Sequence, residues 1–408
     1  MAIRKLLVSL ILDGNNYEVG ELVMNSGKIY FRYHADFLST GLNLSPIKLP
    51  FSGEVNCADQ LPFDGLYGVF SESLPDGWGK LLLDRSLASK NIDITKITPL
   101  DRLAYIGHRG MGALVYQPEI FTKHLTGKIK ELDTIAQEAN LILKGSVSDV
   151  INELFFMGGS SGGARPKIFV AYNPKTADLI HGIDAVPDGF DEWIIKFPSS
   201  FDNPEIGNIE FAYHKMALLA GIEMSECRLF EGKTDHVYFG TKRFDRIGGK
   251  RLHVHTASGL MHDNYRMSTM DYGHLMDCAF RLEKNVNAYE KVFRLAVFNV
   301  YSHNRDDHSK NFSFIMNGHG EWNFAPAYDL TFSSSGYGFH STMVAGESEK
   351  PGRKDLMRLA SHFGLLNASS IIDEVQEAIN QWKVISSECG VSITTSRSIQ
   401  TSLDKLID

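Results

Sequence analysis

Cysteine is scarce in this chain. Cys57, Cys227, Cys278 and Cys389 are the only four in 408 residues, and none forms a C-x-x-C pair. Such spacing argues against a disulfide scaffold or a structural zinc site and suits a reducing compartment, the cytoplasm. Positive charge is also in deficit, with 41 Lys and Arg against 49 Asp and Glu and a formal net charge of −8. Broad non-specific nucleic-acid binding is therefore not expected, and a protein or small-molecule substrate is. Long apolar runs are missing too. Arg4 and Lys5 precede the run Leu6–Leu12, as in a signal peptide. That run is short, passes straight into Asp13-Gly14-Asn15-Asn16, and has no small-residue cleavage site after it. It predicts a strand, a tight turn and a second strand, Tyr17–Met24. Nothing approaches the roughly 18 apolar residues of a membrane span, so no membrane association is expected. Internal repeats and long low-complexity tracts are absent as well.

The remaining composition, 43% apolar and 22% charged, is that of a globular chain long enough for two or three domains. Residues 1–120 mix α and β. Lys28–Tyr33, Ile47–Leu49 and Gly65–Leu74 read as strand-like, and Pro75-Asp76-Gly77 closes the last of them. Helices are predicted over Trp78–Ala88 and from Pro99 to Tyr105, and a strand over Ala113–Tyr116. Residues 121–150 are more polar, with an amphipathic stretch Ile129–Leu143, and read as a linker. Beyond 150 come strands Ile168–Tyr172 and Glu192–Phe197. A helix Asn208–Leu219 follows, with Ile209, Ala212, Met216 and Leu219 on one face and Gly221 placed to end it. Strands Cys227–Glu231 and His236–Thr241 close this region. After 270 the pattern is helical. Tyr289–Tyr301 carries Val292, Phe293, Ala296, Val297 and Val300 at helical spacing, and a hairpin is predicted over Phe312–Met316 and Glu321–Phe324. Helices Lys354–Phe363, Ser369–Ser387 and Thr394–Leu406 end the chain. The expected fold class is α+β. A mixed α/β domain (1–125) precedes a strand-rich lobe with a Gly-rich loop (150–246) and a helical lobe with a polar loop (247–408). The last two are laid out like a two-lobed kinase.

The chemistry concentrates in the polar loop. Phosphoryl transfer needs phosphate positioning, metal-binding carboxylates and a base at the acceptor hydroxyl. Asp306 and Asn311 have the D-x-x-x-x-N spacing of a kinase catalytic loop, in which the Asp takes the hydroxyl proton and the Asn oxygen holds Mg²⁺. Asp329 follows the hairpin, where the second metal carboxylate of a kinase belongs; hard oxygen ligands suit Mg²⁺. Lys310 is placed to balance phosphate charge. Asp307 reads either as a helper carboxylate or as an exposed loop residue.

Lys196 lies in the apolar strand Trp193-Ile194-Ile195-Lys196-Phe197. Burying a lysine unpaired is costly, so it is either an edge residue in solvent or the strand lysine that binds ATP phosphates, with Glu210 as its candidate partner. Gly158–Lys167 is a Gly-rich segment but not a Walker A motif. Gly162 and Gly163 permit close backbone approach to phosphate, and Lys167 adds charge. Ser160 and Ser161 are candidate self-phosphorylation sites. Lys242 and Phe244 stand where a kinase crosses between lobes, as a candidate adenine contact or simply a charged strand end.

Five segments together resemble the HipA family of bacterial toxin kinases. They are Ser160–Lys167, Ile194–Pro198, Arg243–Arg246, Asn304–Phe314 and Pro326–Thr331; His340–Glu347 is also similar to the family, and Leu74-Pro75-Asp76 loosely so. The resemblance implies a two-lobed kinase-like fold and ATP- and Mg²⁺-dependent Ser/Thr kinase activity. By position it implies Asp306 as base, Asn311 and Asp329 as metal ligands, and Lys196 as nucleotide lysine. It also implies a loop serine, Ser160, whose phosphate switches the enzyme off. The implied partner is a HipB-like helix-turn-helix antitoxin, with DNA contacted only through it. Relatives phosphorylate aminoacyl-tRNA synthetases.

Two other readings compete. A metal-dependent hydrolase would use His253 and His255, which share a strand face, with His262, His303, Asp306, Asp307 and His308. A silent co-repressor would act only through its antitoxin, and has no need to keep Asp306, Asn311, Asp329 and Lys196.

Overall fold

Leu6, Val8, Leu10 and Leu12 alternate with exposed or half-buried residues and are fully buried, as a strand covered on one face requires. The computed structural model describes residues 3–120, 127–128, 131–145, 151–158, 162–181, 186–200, 202–234, 236–334 and 338–406. Lys5–Leu12 pairs antiparallel with Asn15–Asn25 across a turn in which Asp13 and Gly14 both have positive φ, the hairpin chemistry read from the sequence. The sheet runs in the order Asn56–Cys57, Lys28–Tyr33, Asn15–Asn25, Lys5–Leu12, Leu114–Gln117.

The chain forms two compact units. One comprises residues 1–203, 230–255 and 315–320, the other 204–229, 256–314 and 321–408. The first unit also holds an antiparallel run of Val237–Lys242, Asp191–Lys196, Lys167–Tyr172, Leu179–His181 and Gly127–Lys128. Trp193, Ile195, Ile168 and Val170 from these strands pack with Trp78, Leu82 and Leu83 of the helix Gly77–Ser89. The helix Leu132–Leu143, within the polar stretch read as a linker, adds Ile135, Ala136, Ala139 and Ile142 to the same core. In the second unit the helix Asn287–Tyr301 buries the five apolar positions expected of it, and Asn299 besides. The helix Ile206–Leu219 ends at Gly221, φ +74, whose amide bonds Leu218 O while Ile222 bonds Ala217 O. That is a Schellman cap.

Three local expectations are overturned. Gly65–Leu74 contains a helix, Gly68–Ser71, with Gly68, Val69 and Phe70 all buried. A short run covered on every side carries no periodicity to tell helix from strand. Ile47–Leu49 is a turn closed by Leu49 N to Ser45 O, and Lys28–Tyr33 pairs with Asn56–Cys57 instead. Ser369–Ser387 splits into Ala368–Asn380 and Trp382–Glu388, where Trp382 is fully buried and its indole donates to Ser396 O.

His253 and His255 share a buried face, as their alternation requires, but not for a metal. His253 bonds the Leu44 carbonyl, and His255 bonds Glu72 and Ser45. Burial, and then His255 beside it, lower the His253 pKa to about 4. The unfolded chain therefore takes up a proton near pH 6.5 that the fold refuses. Stability is full above that pH and falls between 6.5 and 4, by about 3 kcal/mol in total. Thermal denaturation across this window should show the slope in the wild type and a flatter one in His253→Gln. Equal slopes would remove His253 as the cause.

Candidate functional site

The polar loop begins where the helix Asn287–Tyr301 stops. His303, φ +58, reverses the chain. From there the loop is laced to two later segments. Arg305 N bonds Ser333 O and Ser333 N bonds His303 O, at 3.2 and 3.0 Å. Ser341 bonds Arg305 O through both its amide and its hydroxyl.

The two adjacent aspartates have opposite surroundings. The Asp307 side chain is 0% exposed. It accepts from Tyr272 OH at 2.8 Å, His340 Nδ1 at 3.1 Å, Ser341 N at 2.7 Å and Thr342 N at 3.3 Å. It is thus neither helper nor exposed residue; it is a buried anchor. The network runs on from Tyr272 to Asn299 Nδ2 and from Asn299 Oδ1 to Asn304 Nδ2. Burial, followed by the Asp307 charge, holds the Tyr272 phenol well above its ordinary pKa. Asp306, by contrast, is 60% exposed, with His308 Nε2 3.9 Å from its carboxylate. One residue of register decides which carboxylate faces solvent.

Asn311 closes a short turn, Ser309–Asn311, and its amide nitrogen donates to Asp306 O at 2.8 Å. That bond leaves the amide oxygen as its remaining group. Tyr328 OH meets both Lys310 O and Ser313 Oγ at 2.6 Å, so the residue before Asp329 is pinned to the residue before Asn311. Asp329 itself has φ +56, a left-handed conformation that Asp tolerates better than most residues. Asn311 and Asp329 thus come from segments that Tyr328 ties together, and an amide oxygen and a carboxylate are hard donors of the kind that suit Mg²⁺. Lys310 Nζ lies 4.3 Å from the Tyr265 ring centre, and His308 packs on the same ring. Sequence reasoning passed over Tyr265, Tyr272 and Tyr328. Only Tyr328 stood in a segment with a signal.

The other expected residues, Glu210 excepted, lie in the first unit. Lys196 stands directly opposite Lys167 in the antiparallel register. Like charges facing each other across strands repel, and an anionic ligand removes that cost. Lys196 Nζ is 5.4 Å from the Phe239 ring centre; Lys167 is buried, with Nζ 2.5 Å from Gly162 O. Gly163 has φ +86. Ser160 and Ser161 lie outside the described residues. Lys242 is paired with Asp191 at 2.7 Å. Around the half-buried Phe244, Arg243 and Arg246 both clamp Asp245 at 2.7 Å, and Asp245 also accepts from Gly112 N. Burial pushes the Asp245 carboxyl up, but Arg243 and Arg246 outweigh it and hold the group well below the carboxylate range. The Arg-Phe-Asp-Arg segment is thus a structural ion cluster. Glu210 is buried on its helix.

Among the described residues no three His, Cys, Asp or Glu side chains gather as a metal site, so the histidine-rich hydrolase cluster is not assembled. No helix among them is long and apolar enough to cross a membrane.

Residues 159–382 match the HipA-like C-terminal domain and residues 12–117 the HipA N-terminal domain. The chain belongs to the HipA family. Among solved structures this HipA-family chain resembles HipA in the complex of the Shewanella oneidensis MR-1 toxin–antitoxin system HipA, HipB and its operator DNA. The TM-score is 0.69 at 18% identity, over 98% of this chain and 95% of that one. Likeness at this identity establishes the fold, which is α+β and protein-kinase-like. No curated protein matches.

Proposed function

We propose that the chain is an ATP- and Mg²⁺-dependent serine/threonine protein kinase and the toxin of a toxin–antitoxin pair. The observation that carries this reading is the division of labour at 306–307: one carboxylate exposed on a loop that its neighbour holds rigid. In this reading Asp306 accepts the proton of the acceptor hydroxyl. The Asn311 oxygen and the Asp329 carboxylate hold Mg²⁺, which neutralises phosphate charge. Lys196, Lys167 and the amides around Gly162 and Gly163 bind the phosphates, and Lys310 balances charge at transfer. The backbone at Lys242 and Phe244 contacts the adenine of ATP. Ser160 or Ser161 takes the self-transferred phosphate. The work divides among an N-terminal domain (1–125), a nucleotide lobe (150–246) and a catalytic lobe (247–408). The partner is a HipB-like antitoxin, through which alone DNA is reached. The substrate is a cytosolic protein, with aminoacyl-tRNA synthetases the first to be tried.

Incubation with γ-labelled ATP and Mg²⁺ tests this. Label should appear on Ser160 or Ser161, and Asp329→Ala should lower it by about a hundredfold or more, the usual scale for losing a charge-stabilising group at a transferring phosphate. Equal labelling of wild type and Asp329→Ala sinks the metal assignment. Expression should be toxic and the same variant harmless; equal toxicity would point away from phosphoryl transfer.

A further inference from the structure

The Gly-rich loop is gripped by a turn from far up the chain. Asp76 caps the helix Gly77–Ser89 by accepting from Gly77 N at 2.9 Å. The next amide, that of Trp78, donates to Gly163 O at 3.0 Å. Both segments belong to the same compact unit. One matches the HipA N-terminal domain, while the other opens the match to the C-terminal one. They approach so closely that only glycine fits: a Cβ on Gly77 would stand 2.3 Å from Gly163 O and 2.8 Å from Ala164 Cα. Gly77 also has φ +43, which adds to the demand for glycine.

The preceding loop carbonyl, Gly162 O, is taken by the Lys167 ammonium. Two successive carbonyls of the loop are therefore committed to donors. In a trans peptide the N–H points opposite to the C=O. The amides of Gly163 and Ala164 are accordingly turned away from Lys167 and Trp78. Among the described residues neither has an acceptor. Successive amides at a left-handed glycine, without an acceptor among the described residues, are the elements of an anion-binding nest.

We infer that the Asp76–Gly77–Trp78 turn is a brace that sets the Gly-rich loop for phosphate, and that Gly77 is a positioning residue for nucleotide binding. This rests on the kinase reading above and gives the N-terminal segment a part in it. A side chain at 77 displaces the Gly163 peptide, and the amides that face the phosphate move with it.

The test is titration of the full chain with ATP–Mg²⁺, with thermal stability measured alongside. Gly77→Ala should raise the Kd by about tenfold or more, the worth of one charge-assisted hydrogen bond, and should speed hydrogen exchange at Gly163 and Ala164. Gly14→Ala is the matched control, because Gly14 has φ +85 and nothing within 4 Å of an added Cβ. It carries backbone strain without a clash and should bind as wild type does. Should Gly77→Ala not fold, Asp76→Ala loosens the same turn by removing a hydrogen bond, and a severalfold weaker Kd is expected. A folded Gly77→Ala, or in its absence Asp76→Ala, that binds as tightly as wild type overturns the brace alone. A wild type that binds no ATP–Mg²⁺ overturns the kinase reading and the brace with it.

Discussion

Asp306→Asn should lower phosphate transfer by about 10²–10⁴-fold, the usual contribution of a positioned general base, while the protein melts where the wild type does. The side chain is 60% exposed, and substitutions at the surface usually cost about 0.5 kcal/mol or less. Asparagine keeps the size and the hydrogen-bonding oxygen but cannot take the acceptor proton. The backbone carbonyl of residue 306, which holds Asn311 Nδ2, is untouched, so ATP–Mg²⁺ should bind nearly as before. The loss should thus fall on kcat rather than on the KM for ATP. Transfer rates and nucleotide affinity measured on the same preparation decide it. A loss confined to ATP affinity would recast Asp306 as a binding residue.

At the adjacent position the expected result is inverted. Asp307→Ala should cost about 3–5 kcal/mol of stability, because it strands Tyr272 OH, His340 Nδ1 and the Thr342 amide in the interior and takes the shorter of two bonds from the Ser341 amide. For a protein of this size that is a drop of about 5 °C in Tm. Activity should disappear as well, since segments 304–311 and 338–342 lose their common anchor. Tyr272→Phe removes one of the same bonds and should cost about 1–3 kcal/mol with most activity kept at low temperature. Chemical denaturation of the three proteins gives the ranking. An Asp307→Ala protein as stable as wild type but inactive would place Asp307 in the chemistry after all.

The neighbouring aspartates also mark how far reading the chain reached. Legible from order alone were the antiparallel hairpin at Asp13-Gly14, the helix stop at Gly221, the apolar stripe of Tyr289–Tyr301, and the hairpin between Asn311 and Asp329. Each is a local rule: a positive φ that glycine accepts, a period of 3.6, a turn between two apolar runs. The spacing of Asp306 to Asn311 singled out a residue whose exposure it could not state; the side chain is 60% exposed. Nothing local distinguished Gly68–Ser71 from a strand, because a run buried on all sides leaves no polar face to count. Nor could spacing say what Asp307 does, since its partners Tyr272, Asn299 and His340 come from segments far away in the chain. Nor did spacing show that Arg243, Asp245 and Arg246 form a buried ion cluster, for the same reason. Their charges are buried against Gly110 and Gly112. The sequence by itself determined most of the elements and singled out the loop proposed to carry the chemistry, through short-range periodicity and turn residues. Which carboxylate faces solvent, which glycine meets another chain segment and which charges are buried were decided only by tertiary structure, because burial and hydrogen-bond partners are properties of what folds over a residue, not of its neighbours in the chain.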